Sequence, residues 1–409
     1  MLFPHDKKMG VKRFYHLDYY YYLAFLLGKN FNNFDEIFKA TIQHQNELSD
    51  ISTSINSRDK FKTEYQIKSA IEEMIRFNLF KLIDKINIEF TAEGIVFYGY
   101  IMERNFIAAE KMLCQKMESH YGQPSQLINY FRGLNKLGNG LVVFPRPSPS
   151  ALNFSTEAII TGNKLEDYCR ACSEYSSNEI YKFMGILISK EAIFFRLFTL
   201  LNAYFERMDY RKQSINIPRE VKTIMYSFYI DTFLEGKFEA ITFDIWIKRA
   251  KELKILNSTE LFPGFNGLII YPISVLVPQK INNEEFVLMA ITNKNEQLFR
   301  YEPKWERFKE RYVQVLWDNY IELSRSSKNF FVSVQDLRDI VCFKLQISEN
   351  TFAKFLGNAY NETMNEIIRQ FKISLEVDRS PQERTFKNSK RYPILINNVP
   401  KNIIGIKMS

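Results

Sequence analysis

The sequence has little of what metal and redox chemistry is built from: four histidines and four cysteines among 409 residues. His5, His16, His44 and His120 fall in no HExxH, HxH or HxxE spacing, which argues against a histidine-centred metalloenzyme. Cys169 and Cys172 have zinc-knuckle spacing, but no second CxxC follows. Completing four ligands would take Cys114 and His120 from a distant helix, so ordinary thiols are expected. Four cysteines, with Cys342 the last, make no disulfide framework in a chain of this size, which fits a reducing compartment. Glycine is also missing where a phosphate cradle would need it. Gly133, Gly138 and Gly140 lack a following GKS or GKT, so they read as a helix C-cap turn before a strand at 141–144, with Arg132 and Lys136 near enough to touch phosphate. No carboxylates sit at acidic-nuclease spacing; Glu376 and Asp378 share a strand face that reads as solvated. No apolar run approaches the roughly eighteen residues of a membrane span, and the opening MLFPHDKKMGVKRF carries charge where a signal peptide needs its apolar core. These absences predict a non-catalytic cytoplasmic protein with no cofactor, no metal and no membrane segment.

What is present is aromatic. Phe (36) and Tyr (23) bring aromatics to 15% of the chain, with charged residues at 25%, a globular balance that an AT-rich genome would also favour. The length implies two to four compact units. Lys and Arg number 55 against 47 Asp and Glu, a net charge of +8. That mild excess points toward a polyanionic partner without naming one.

Along the chain, residues 14–27 are apolar nearly all round, the mark of a helix buried between neighbours, with His16 packed in it. Thr63 and Gln66 make a capping box for a helix carrying Ile67, Ile71, Met74, Ile75, Leu79 and Leu82. Ile86, Ile88 and Phe90 then alternate with polar residues, and Ala92-Glu93-Gly94 is expected to turn the chain into a second strand at 95–101. The middle reads as helical: one helix to His120 stopped by Gly122 and Pro124, another to Leu137, prolines at 145, 147 and 149 marking a loop, and a long helix opened by Ser176 and Glu179. Pro218 and Thr242 precede two more helices, followed by GLIIYPISVLV and FVLMAI, expected to pair as a hairpin around Asn282-Asn283.

The last hundred residues carry the clearest pattern. Trp305, Phe308, Tyr312, Val315, Leu316, Tyr320 and Leu323 line one face of a long helix. Ser333 and Asp336 cap a shorter helix with Val334, Leu337, Ile340, Val341 and Leu345 inward. After the turn 346–350, Phe352, Phe355, Leu356, Ala359 and Ile367 point inward, leaving Thr351, Lys354, Asn358, Asn361 and Asn365 outward. Phe371, Ile373, Leu375 and Val377 alternate as a strand. A loop then holds Arg379, Arg384, Lys387, Lys390 and Arg391 against Glu383 before Ile394, Ile396, Ile403, Ile404 and Ile406 return the chain to the sheet.

This helix-turn-helix followed by a basic hairpin resembles the winged-helix superfamily over roughly a quarter of the chain. Two earlier stretches repeat the order helix, helix, hairpin more weakly. The resemblance implies a mainly α fold with small antiparallel β hairpins, two or three winged-helix-like units around a helical middle, divided at 1–102, 103–213, 214–300 and 301–409. It implies a double-stranded DNA partner, with Thr351, Lys354, Asn358 and Asn361 on the helix that enters the major groove. Asn358 and Asn361 would pair with adenine edges. Arg379, Arg384, Lys387, Lys390 and Arg391 form the wing along phosphates, each neutralised phosphate releasing counterions. Arg207, Arg211, Lys212, Arg219 and Lys222 form a second basic cluster, read either as a bridge between modules or as a solvated helix end. Winged helices also dock proteins, so the rival expectation is an assembly scaffold on a partner ATPase or a chromosome-organising or defence complex.

Overall fold

A computed structural model describes residues 16–43, 64–84, 86–133, 142–145, 164–175, 189–207, 240–262, 265–276, 283–365, 371–377, 394–396 and 399–408. The described chain is mainly helical, with small antiparallel sheets of two or three strands. It divides into two compact units. The larger draws on residues within Val11–Ser125, Lys248–Asn257 and Ile273–Ser409; the smaller on Gln126–Ile247 and Ser258–Pro272.

The larger unit opens with α1 (Asp18–Gly28), α2 (Phe34–Gln43) and α3 (Glu64–Arg76), then β1 (Phe80–Leu82) paired antiparallel with β2 (Ile88–Phe90). Every residue of α1 from Asp18 to Leu27 is buried, as its all-round apolar sequence demands. His16 lies just ahead of this helix rather than packed within it, its ring 2.6 Å from Glu252. The strand expected at 95–101 is instead a helix, α4 (Ala92–Met102). Thr91 accepts a hydrogen bond from the backbone N–H of Gly94, so the Thr-Ala-Glu-Gly stretch is an N-cap and not a hairpin turn. Gly94 is required there, because a β-carbon would fall 1.9 Å from the Leu79 carbonyl oxygen. α5 (Phe106–Tyr121) follows and ends at Gly122, whose φ of 64° is the left-handed cap conformation.

α6 (Gln123–Gly133) carries the chain into the smaller unit, which holds β3 (Val142–Pro145), α7 (Leu165–Tyr175), α8 (Lys190–Arg207), most of α9 (Ala240–Glu252), β4 (Leu256–Phe262) and β5 (Phe265–Pro272). Its sheet runs β3-β5-β4, with Val142 opposite Ile270. Leu165, Tyr168, Cys169 and Cys172 of α7 are buried, as are Ile193, Leu197 and Leu201 of the adjacent α8. The expected start of that helix at Ser176 lies outside the described residues, and in the described chain Ser189 accepts from the Ala192 N–H at its first turn.

Back in the larger unit, β6 (Ser274–Val275), β7 (Phe286–Ile291) and β8 (Gln297–Tyr301) form a sheet of order β6-β8-β7. The hairpin expected between the two apolar runs therefore does not form: β5 joins β3 and β4, and β7 pairs with β8. The turn residues decide this. Thr292 accepts from the Lys294 and Glu296 N–H groups through its hydroxyl, while Asn295 adopts φ 60°, a geometry Asn tolerates.

The carboxy-terminal module begins with α10 (Trp305–Ser327), then β9 (Val332–Ser333), α11 (Val334–Leu345), α12 (Glu349–Met364), β10 (Phe371–Glu376), β11 (Ile394–Ile396), β12 (Val399–Lys401) and β13 (Ile403–Met408). β13 is central in the order β10-β13-β9, and β11 pairs with β12. β10 buries Phe371, Ile373 and Leu375 and exposes Lys372, Ser374 and Glu376, the alternation its sequence spells out. These side chains meet Trp305, Tyr312, Leu316, Val341, Phe352, Phe355 and Leu356 in one apolar core. Burying each such side chain stabilises by about 1.5–3 kcal/mol.

Candidate nucleic-acid interface

The first turn of α12 is fixed by its caps. Ser348 stands at the N-cap and accepts from the Thr351 N–H at 3.1 Å, and the two hydroxyls lie 2.8 Å apart. Thr351 is only 5% exposed, with Glu302 at 3.5 Å from its hydroxyl. It was expected to face solvent and DNA; instead the cap turns it inward, and it is not part of an open helix face. Lys354 and Asn361 are exposed and Asn358 is half-buried, spaced so that they share one side of α12. The buried side, with Phe352, Phe355, Leu356 and Ala359, packs in the module's apolar core, and the helix contacts α10, α11, β10 and β11.

Glu349, also in the first turn, is held in a partly buried ion-pair network. Lys251 reaches it at 2.8 Å and Arg338 at 3.8 Å, while Arg338 also pairs with Asp339 at 3.0 Å. Burial alone would raise the Glu349 carboxyl, but Arg338 and Lys251 outweigh it and hold it below the usual carboxylate range. At the far end of the helix, Glu362 accepts from the Trp305 indole N–H at 2.5 Å and pairs with Lys309. Sequence reasoning missed this network. Glu349 looks like an ordinary dipole-favouring residue at a helix start, and nothing near it in sequence points to Lys251.

The basic residues expected to form the wing, Arg379, Arg384, Lys387, Lys390 and Arg391, lie outside the described residues. In sequence they fall between β10 and β11, and β11 packs against α12. At the end of β10, Lys401 donates to the Leu375 carbonyl at 2.9 Å, and the Asn402 N–H donates to the Glu376 carbonyl at 3.2 Å. Of the second basic cluster, Arg207 is the last residue of α8, while Arg211, Lys212, Arg219 and Lys222 lie outside the described residues.

Cys169 and Cys172 are both buried in α7, and burial pushes the Cys169 thiol up to about 12. Among the described residues, no three His, Cys, Asp or Glu side chains are placed to hold a metal ion, and no helix is long and apolar enough to cross a membrane. No protein-family model, curated protein or solved structure gives a significant match to this chain.

Proposed function

We propose that the carboxy-terminal module is a winged helix that binds double-stranded DNA through the basic segment from Arg379 to Arg391, in a cytoplasmic protein without catalytic activity of its own. The observation that carries this reading is the connectivity. Three helices and five strands follow in the order α10, β9, α11, α12, β10, β11, β12, β13, with one sheet of order β10-β13-β9 and a separate β11-β12 pair, and the long connection between β10 and β11 is the one that holds Arg379, Arg384, Lys387, Lys390 and Arg391. In this reading the wing lies along phosphates and dominates affinity. Lys354, Asn358 and Asn361 contribute beside it, and the first turn of α12 does not read bases because Thr351 and Glu349 are committed internally. Such a protein serves as a regulator, a replication initiator or the DNA-recognition subunit of a larger complex.

Salt dependence tests the wing. Replacing Arg384, Lys387 and Lys390 by Ala is expected to weaken duplex binding and flatten the slope of log K against log salt by roughly one unit per lost phosphate contact. An unchanged slope overturns the assignment. The closure of the α12 first turn by Lys251 and Arg338 favours a second reading, in which the module docks a protein partner. A stoichiometric partner that co-purifies through nuclease treatment, with no duplex binding by the purified chain, would establish that reading instead.

A further inference from the structure

The outer face of the β10-β13-β9 sheet carries a pairing that works against the fold. Lys372 and Lys407 stand directly opposite each other on β10 and β13, and both are exposed. Like charges so placed repel and weaken a sheet, whereas a carboxylate at either position would turn the repulsion into attraction. Neither lysine has an ion pair or a hydrogen bond among the described residues. On the outer face of these three strands the one acidic residue is Glu376, at the far end of β10. Two residues back along β13, about 7 Å from the lysines, Gly405 lies opposite Ser374. A β-carbon on Gly405 would come to 3.0 Å from the Phe331 ring and closer still to Phe330. The glycine thus leaves a recess in which both rings seat. They meet edge to face, centroids 5.1 Å apart at 84°, yet Phe330 stays 47% exposed.

We infer that this sheet face binds single-stranded nucleic acid, with phosphates on Lys372 and Lys407 and a base stacked on Phe330. A bound polyanion removes the repulsion that the free sheet tolerates, so the lysine pair and the ligand are complementary in charge. The aromatic ring narrows the choice of polyanion. Phe330 is anchored over Gly405 and against Phe331, so it offers a fixed surface for stacking at little cost in side-chain entropy, unlike an anchor that projects into lipid. In a duplex the base faces are already stacked on one another, so a single strand is the form that uses both the lysines and the ring. The spacing of about 7 Å lets one nucleotide reach both with its phosphate and its base. No residue of the wing takes part, so the face stands apart from the duplex contacts proposed above.

Fluorescence anisotropy of the full chain with a short labelled oligothymidine tests it. Lys407→Glu pairs with Lys372 across the sheet; it should melt at or slightly above the wild-type temperature while affinity falls roughly tenfold or more. That opposition separates lost binding from lost folding. Lys372→Gln combined with Lys407→Gln should flatten the slope of log K against log salt by roughly 0.7 unit per lost contact. Phe330→Leu keeps an apolar side chain over Gly405 but removes the ring, and should cost roughly tenfold in affinity with the slope unchanged. In the variant lacking Arg384, Lys387 and Lys390 these losses should persist, so failure of the wing assignment leaves this one standing. The inference is overturned by a wild-type chain that does not bind oligothymidine, or by a folded Lys407→Glu or Phe330→Leu variant that binds it like wild type. Lysine-dependent binding to phosphatidylserine vesicles without binding to oligothymidine would overturn it in favour of a membrane surface.

Discussion

Two parts of the larger unit are held together by opposite means. The carboxy-terminal module closes on an apolar core in which Trp305, Tyr312, Phe352 and Phe355 stack edge to face or tilted. The amino-terminal helices instead close on buried charge. Glu73 of α3 is fully buried and is gripped by Arg249 at 2.8 and 3.2 Å, while Tyr20 and Tyr121 each donate to it at 2.6 Å. A second buried carboxylate, Glu110, takes Arg300 at 2.6 Å and Lys254 at 3.1 Å. Burial, opposed by Arg249 and reinforced by Glu73, holds the Tyr20 phenol well above its usual range, so it stays a donor. An apolar core tolerates the loss of a contact in proportion to the volume removed, whereas a buried ion pair is most costly when only one partner goes.

Breaking that contrast is direct. Arg249→Met leaves Glu73 buried without its cation and is expected to cost about 3–5 kcal/mol by denaturant unfolding, with Glu73→Leu added to it recovering much of the loss. If Glu73→Leu brings no recovery, the pair is not the unit of stability described here. In the carboxy-terminal module, Leu356→Ala should cost about 2–5 kcal/mol, set by the cavity it leaves and insensitive to salt and pH. The smallest effect belongs to His16. Burial lowers the affinity of its ring for a proton, but the hydrogen bond and charge of Glu252 outweigh burial and raise its pKa above the usual value. A raised folded-state pKa means the contribution is fully present below about pH 6.5 and is lost as pH rises through the folded value. The melting temperature of His16→Gln should fall less than that of wild type over this window; parallel falls would show that the pair is not coupled to folding.

The same contrast explains what the sequence makes legible. Trp305, Phe308, Tyr312, Leu316 and Tyr320 sit on one buried face because helical periodicity alone places them there, and Ser333 caps α11 as its spacing from Asp336 announces. α4 was misread as a strand because it is apolar on both sides, which erases the period that separates helix from strand. The cationic partners of Glu73 and Glu110 lie more than a hundred residues away, and a buried Arg looks in sequence like a solvated one. Thr351 was placed outward by helix phase, which is blind to a cap that turns the first residues inward. The pairing of β7 with β8 was missed because the Thr292 turn competes with an Asn-Asn signal that looks stronger on paper.

The stretch 249–254 joins these observations, since Arg249, Lys251, Glu252 and Lys254 bind α3, α12, the start of α1 and α5 in turn. Its place in the chain falls between two segments of the smaller unit, so the larger unit is not a contiguous piece of polypeptide. Any cut between Ser125 and Ile273 therefore separates segments of the larger unit from one another. A fragment ending before residue 248 strands Glu73 and Glu110 without these cations, and one beginning at residue 301 leaves Glu349 without Lys251.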